Sequence, residues 1–560
     1  MHGRVKVRTT EEQEEAKRKE RAAKVQLYRD LTSKIYKKRE SGEYDNEALK
    51  LTEKVLTPNP EITTLWNYRR EIFIEKMKSM EPENIQVILD SELRFLDNCL
   101  RVNPKSYSVW HHRCWAMEAS PTPDWLMEKK LCDQFLKYDE RNFHCWDYRR
   151  YVAAKANLSA DEEFQFTSQK IEANFSNYSA WHYRSKLLPR IHPGDNQEVS
   201  ETALAEEYEL VQNAFFTDPS DQSAWLYHRW LLGRESCPLM INTIVASRAP
   251  PTLVVTFNRA VCLSDCVHVS IKVGDSPLSD PAWSMSAGET ANDKPANMWV
   301  CLLGDKVTSD NSVKIELKRD QQCVTLELES GSQDAYWLST AAEICQSYNT
   351  VATSSILESE LKSCEQLLEL EPTNKWCILT TLLLKQCVDP VKHHEDIVKL
   401  FASLSEVDPY RHGYYADLLS RQVVECSLRE SYTSQTRKLN LSNKSLTKVY
   451  HTELMCHLTV LDVSGNQLTL VHDVHYLKCL VELILDNNEV NKVQADITKL
   501  LKLRLLSAKN NRISDLSTLK GAAIQELNVA GNPVTQLDGF KDHVMQHLPQ
   551  LKHLDGSNIV

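Results

Sequence analysis

Five tryptophans set a ruler along the first 236 residues of the chain. Trp66, Trp110, Trp146, Trp181 and Trp225 lie 44, 36, 35 and 44 residues apart. Seven positions before each stands Asn59, Asn103, Asp139, Asn174 or Asp218, and Pro60, Pro104 and Pro219 follow three of these. Three positions after the first four tryptophans stands Arg69, Arg113, Arg149 or Arg184; in the fifth unit Arg229 slips to four. The Asn/Asp-Pro step reads as a turn, and Trp-x-x-Arg as the body of the helix that follows. Between turns the period is helical, as in Ile85, Ile88, Leu89, Leu93, Leu96 and Leu100. A unit of this length is a pair of helices that cannot bury its apolar face alone and must stack on its neighbours.

The period changes to two near residue 237. Leu253, Val255 and Phe257 alternate with other residues, as do Val267, Val269, Ile271 and Val273, then Val313, Ile315 and Leu317, then Val324, Leu326 and Leu328. Gly, Asp, Ser and Pro between them give an antiparallel, Ig-like β-sandwich over 237–350. Helical character returns over 351–432, where LKSCEQLLELEPTNKWCILTTLLL repeats the order helix, Pro turn, Trp, and SLSEVDPYRHGYYADLL repeats it with Tyr. The sandwich therefore reads as an insertion into one helical array. Over 433–560, LTVLDVSGNQL, LVELILDNNEV, LRLLSAKNNRI and IQELNVAGNPV match LxxLxLxxNxL, with Asn466, Asn488, Asn511 and Asn532 spaced 22, 23 and 21 residues. TRKLNLSNKSL is a fifth copy with Lys444 in the Asn slot. This spacing is that of leucine-rich repeats. The expected fold is multidomain and mainly α: an α-α hairpin superhelix (1–236, continued at 351–432), the inserted sandwich, and the terminal leucine-rich repeats.

Composition narrows the function. A net charge of -11 disfavours nucleic acid as a partner, since phosphate neutralisation needs a basic surface. The chain begins without a signal-peptide core and contains no apolar run long enough for a membrane span, so a cytoplasmic location is expected. The 16 cysteines form no CxxC pair and read as reduced thiols. No metal site is expected on this chain: His472 and His475 have no further ligand pair at familiar spacing. Only 14 glycines occur, none between Gly42 and Gly194, and GxGxxG, GxxxxGK[ST] and GxSxG are missing.

PKSYSVWHHR, residues 104–113, gathers the most chemistry. His111 and His112 are adjacent on a helix and point about 100° apart, so they cannot bind one metal together. Asn67-Tyr68, Asp147-Tyr148 and His182-Tyr183 fill the same slots in other units, which makes both histidines packing and surface residues. The residues ahead of the tryptophans differ. Lys105, Tyr107 and His144 stand where turns enter helices, and free N–H groups with a positive dipole suit an anion there. An ordinary solvated turn with caps accounts for the same spacing.

These Trp-x-x-Arg units resemble the α-subunit repeats of protein prenyltransferases, and PKSYSVWHHR is particularly close to that family's pattern. The resemblance implies a crescent of helical hairpins around a β subunit that holds a catalytic zinc and the isoprenoid pocket. By motif position it assigns Lys105, Tyr107 and His144 to the departing diphosphate. Asn142 matches a nearby family Asn, which makes it a candidate cofactor-binding residue, and Phe143 replaces the family's usual Tyr. The two extra domains resemble those of the animal type II branch. That branch implies geranylgeranyl diphosphate as donor, Rab GTPases as acceptors, and an escort protein that presents them. A non-enzymatic scaffold and a farnesyltransferase-type α subunit are the competing readings.

Overall fold

The computed structural model describes residues 11–194, 199–233, 239–262, 268–278, 282–285, 294–304, 307–319, 322–340 and 354–559. The chain forms two compact units that divide after Leu231. Helical hairpins come first and a sheet-rich region follows. The boundaries expected at 236/237 and 350/351 lie outside the described residues, as does Val267.

In the first unit a long charged helix α1 (Glu11–Glu40) precedes five hairpins. These are α2 (Asn46–Leu56) with α3 (Thr63–Met77), α4 (Pro82–Val102) with α5 (Tyr107–Ala119), α6 (Trp125–Tyr138) with α7 (Phe143–Lys155), α8 (Ala160–Ala173) with α9 (Tyr178–Ile191), and α10 (Glu201–Thr217) with α11 (Gln222–Leu232). Side-chain caps start six of these helices: Asp45, Ser106, Asp124, Asn142, Ser159 and Asn177 each accept a backbone N–H of the first turn. The ruler tryptophans are all buried; Trp66, Trp110 and Trp146 pack on Phe95, Phe135 and Phe166 of the next hairpin, and Trp225 stacks at 4.3 Å on Phe215 of its own.

The second unit opens with two antiparallel sheets. One has the order β5-β6-β2-β1-β9, from β1 (Ile241–Arg248), β2 (Pro251–Val261), β5 (Ala282–Met285), β6 (Ala296–Leu302) and β9 (Asp334–Leu338). The other has the order β4-β3-β7-β8, from β3 (His268–Val273), β4 (Ser276–Pro277), β7 (Val313–Arg319) and β8 (Gln322–Leu328). Their inner faces share one core that includes Ile244, Phe257, Trp299, Ile315 and Leu328. Period two does not reveal β1, because every residue of it is buried. Ile244 and Ala246 face the shared core, while Val245 packs with Cys456 and Cys479, so both faces of the strand are covered and the alternation is lost.

Helices α12 (Ser354–Leu370), α13 (Lys375–Val388), α14 (His394–Val407) and α15 (His412–Ser434) also belong to the second unit. Their register corrects one detail. In the first unit the Asn cap precedes the ruler tryptophan by four, as Asn142 does Trp146. Asn374 caps α13, so the ruler position is Ile378, not Trp376. Ile378 is buried and Trp376 half-buried. A second equivalence agrees: the Cys145 thiol donates to the Cys132 carbonyl, and the Cys377 thiol to that of Cys364. Tyr415 holds the ruler position of α15, buried as the tryptophans are.

The chain then coils through a parallel ladder of β10 (Lys438–Asn440), β11 (Val460–Asp462), β12 (Glu482–Ile484), β13 (Leu505–Ser507), β14 (Glu526–Asn528) and β15 (His553–Leu554). Asn466, Asn488, Asn511 and Asn532 are nearly buried between its turns. The Asn488 amide donates to the carbonyls of Val463 and Leu485, both at 3.0 Å, and its oxygen accepts the Leu468 N–H at 3.0 Å. One side chain thus pairs backbone groups of two successive turns, which gives these asparagines a structural part.

Candidate functional site

The turns that enter α5, α7, α9 and α11 share one construction. The first Asn or Asp folds back on the chain, its Oδ1 accepting the N–H two residues on: Lys105 from Asn103, Arg141 from Asp139, Ser176 from Asn174 and Ser220 from Asp218. Each ruler indole N–H donates to the carbonyl six residues earlier, as Trp110 to Pro104 at 2.9 Å and Trp146 to Glu140 at 2.8 Å. The next turn's cap reaches that same carbonyl. Asn142 Nδ2 donates to Pro104 O at 2.9 Å, and Asn177 Nδ2 to Glu140 O at 3.1 Å. Successive turns are therefore locked to one another by backbone carbonyls that each accept two bonds.

This lock brings Lys105, Tyr107 and His144 together from two hairpins. Tyr107 is the first residue of α5, and His144 the second of α7. Their rings meet edge to face with centroids 4.2 Å apart, and Phe143 packs against both. Tyr107 is 67% exposed and Phe143 48%, whereas His144 is 7% exposed. Burial holds the His144 imidazole below its ordinary value, with Asp147 and Glu61 pulling the other way. Burial thus favours the neutral ring, which retains one N–H to donate. The Lys105 ammonium lies 3.0 Å from Asp139 Oδ2, with 62% of the lysine side chain exposed. A cation, a phenol and an imidazole at two helix entrances form a surface suited to a multiply charged oxyanion.

Asn142 has a different part from the one its motif position implies. It is 1% exposed, its oxygen accepts the His144 and Cys145 N–H groups, and its amide is given to Pro104. It fixes the spacing of the two turns, with its oxygen and one amide N–H given to the backbone.

Behind the entrances runs a buried charged layer. Arg113 forks onto Glu128 through Nε at 2.6 Å and Nη2 at 2.7 Å; Arg149 onto Glu163 at 2.9 and 2.7 Å; Arg184 onto Glu207 at 2.7 and 2.6 Å; Arg69 binds Glu92 the same way. Each glutamate takes a third partner two residues after the next ruler tryptophan: Tyr148 on Glu128, Tyr183 on Glu163, Tyr227 on Glu207, and His112 on Glu92 at 2.9 Å. His112 thus does what tyrosine does elsewhere. It is fully buried against Trp66, while His111 is exposed beside Arg70. Burial pushes the His112 ring down despite Glu92. Glu92 is itself raised by burial but brought to about 2 by the Arg69 charge and the bonds from His112 and Arg69.

Two sets of residues escape a reading by motif. The glutamates follow the arginines by 23, 15, 14 and 23 residues, so no fixed arginine offset finds them. Measured from the next ruler tryptophan, each stands eighteen earlier, and buried Glu360 stands eighteen before Ile378. Asp139 carries no signal of its own beyond the turn pattern, yet it is the residue that meets Lys105.

Among the described residues no three His, Cys, Asp or Glu side chains converge as metal ligands, and no helix is long and apolar enough to cross a membrane. The protein prenyltransferase alpha subunit repeat matches residues 45–74, 89–120, 125–156, 160–191 and 204–235, one match per hairpin. The chain is 40% identical to the geranylgeranyl transferase type-2 subunit alpha of Bos taurus over 573 aligned positions, covering 99% of this chain and all of that one. It is 41% identical to the Homo sapiens protein of the same name, over 98% and 99% of the two chains. The Dictyostelium discoideum protein of that name is 42% identical over 234 positions, 41% of this chain and 75% of its own. With the hairpin register, the locked entrances and end-to-end similarity in agreement, the chain belongs to the family of geranylgeranyl transferase type-2 α subunits.

Proposed function

We propose that this chain is the α subunit of a heterodimeric protein geranylgeranyltransferase. In this reading it works with a β subunit to move the geranylgeranyl group of geranylgeranyl diphosphate onto C-terminal cysteines of Rab GTPases held by an escort protein, in the cytoplasm. The observation that carries it is the convergence of Lys105, Tyr107 and His144 across two hairpins in a chain similar to such subunits from end to end. Zinc is assigned to the β subunit, where it would keep the acceptor cysteine as thiolate. The sulfur bonds to C1 of the isoprenoid as the C1–O bond breaks, and the electron pair leaves with the diphosphate. Lys105 meets that growing charge as a compact cation, while Tyr107 and His144 donate to its oxygens. The sheets of 239–340 are read as an Ig-like sandwich inserted into the helical array, and the ladder after 433 as leucine-rich repeats. Both are assigned to tasks other than chemistry.

Charged hydrogen bonds contribute about 1.5–3 kcal/mol, equivalent to roughly ten- to a hundredfold in rate when made in the transition state. Lys105→Ala is expected to slow single-turnover transfer by the coexpressed heterodimer by that factor, with an unchanged melting curve. His111→Ala is expected to do far less. A Lys105→Ala enzyme at the wild-type rate, or a larger loss from His111→Ala, refutes the assignment.

A further inference from the structure

We propose that Asp139 is a positioning residue for Lys105: its carboxylate holds the ammonium at the α5–α7 entrance and hands it to the diphosphate. The proposal rests on the role given to Lys105 above. A lysine on a largely exposed four-carbon stem samples many rotamers, and a cation that must meet a developing charge gains from being held near its place beforehand. Asp139 is itself fixed. Its backbone N–H donates to Phe135 O at 3.0 Å, its Oδ1 accepts the Arg141 N–H at 3.1 Å, and its Oδ2 is turned to Lys105 Nζ at 3.0 Å.

The junctions on either side give the comparison. At each, the first residue of a turn reaches a side chain of the preceding turn. Asn103 Nδ2 donates to Glu61 Oε1 at 3.0 Å, and Asn174 Nδ2 donates to Glu140 Oε1. Those ties join a neutral donor to an acid. At Asp139 the polarity is reversed, with the acid on the later turn and the cation on the earlier one. This reversal occurs where Tyr107 and His144 meet. The pair is held in water, with the lysine side chain 62% and the aspartate 36% exposed, so solvent screens it and a multiply charged anion can take over the ammonium.

Asp139→Asn is the fitting variant, because asparagine makes the same backbone turn at residues 103 and 174. In the coexpressed heterodimer it should slow single-turnover transfer at saturating geranylgeranyl diphosphate by about three- to tenfold, leaving KM for the donor within twofold and the melting curve unchanged. In a Lys105→Ala background the same change should have no further effect, since the group it positions is gone. A purely structural Asp139 would slow both backgrounds equally and lower the melting temperature. Wild-type turnover in Asp139→Asn, or equal losses with and without Lys105, overturns the positioning role while leaving Lys105 in place. Full activity of Lys105→Ala overturns the site assignment and the positioning role with it.

Discussion

The helical hairpins of the first unit and the parallel ladder of the second solve the same problem in different chemistry. Each must fix one repeat on the last. The ladder does so with neutral amides: Asn466, Asn488, Asn511 and Asn532 bond only backbone groups, one turn to the next. Such a tie depends on turn length, and the asparagines accordingly keep a spacing of 21 to 23 residues. The hairpins use buried charge. Arg149 and Glu163, each almost wholly inaccessible, satisfy one another across helices and also take Asp133 and the face of Phe166. That tie binds side chain to side chain and tolerates hairpins of different length, as the 35- to 44-residue spacing of the tryptophans records. A charged tie allows variation in the chain between repeats, but removing one member leaves the other's charge buried.

This contrast sets an order of expected losses. Arg149→Ala leaves Glu163 buried and unpaired and should cost about 3–5 kcal/mol, read by urea unfolding of the purified protein. The double change Arg149→Met with Glu163→Leu should cost clearly less, since no charge is stranded; an equal cost would mean that the charge itself is not what matters. Asn488→Ala strands the Leu468 N–H and takes one of two donors from each of the Val463 and Leu485 carbonyls, which keep the Asn466 and Asn511 amides, and should cost about 1–3 kcal/mol. A loss as large as that of Arg149→Ala would erase the distinction between the two kinds of tie.

The smallest effect tests the exception within the charged layer. His112 is buried with its folded-state value below the ordinary 6.5, so the unfolded chain takes up a proton that the folded chain refuses. Its contribution is complete above pH 6.5 and declines as pH falls below it. His112→Tyr replaces it with the donor used at Tyr148 and Tyr227. Between pH 7.5 and 5.5 the variant should lose less stability than wild type, in a window well above that of Glu92, whose depressed value near 2 costs stability only as pH drops under 4.5. Parallel stability–pH curves for the two proteins would show that position 112 does not titrate in this way.

Much of this was legible before any coordinate. The tryptophan ruler located the hairpins because apolar spacing is a local property of a helix, and the Asn-centred pattern located the ladder because its turns repeat almost without insertion. Strand β1 was not legible, since coverage on both faces removes the alternation by which strands are recognised. Trp376 misled in the opposite sense: a tryptophan after a Pro turn looks like the ruler, yet the cap at Asn374 puts Ile378 in that place. The buried glutamates were readable only against the following tryptophan, because a hairpin varies in length between its arginine and the next helix and not between that glutamate and the tryptophan beside it.

The sequence by itself determined that helices and turns alternate at the tryptophan spacing, and that Lys105, Tyr107 and His144 stand at helix entrances. Each follows from spacing along a single element, which the backbone imposes with a fixed period. Only the tertiary structure decided that Tyr107 meets His144, that the Asp139 carboxylate faces the Lys105 ammonium, and that Asn142 belongs to the scaffold. These are contacts between hairpins, 34 to 38 residues apart in the chain. Their partners are selected by how one turn locks onto the carbonyl of the last, a geometry that no local period encodes.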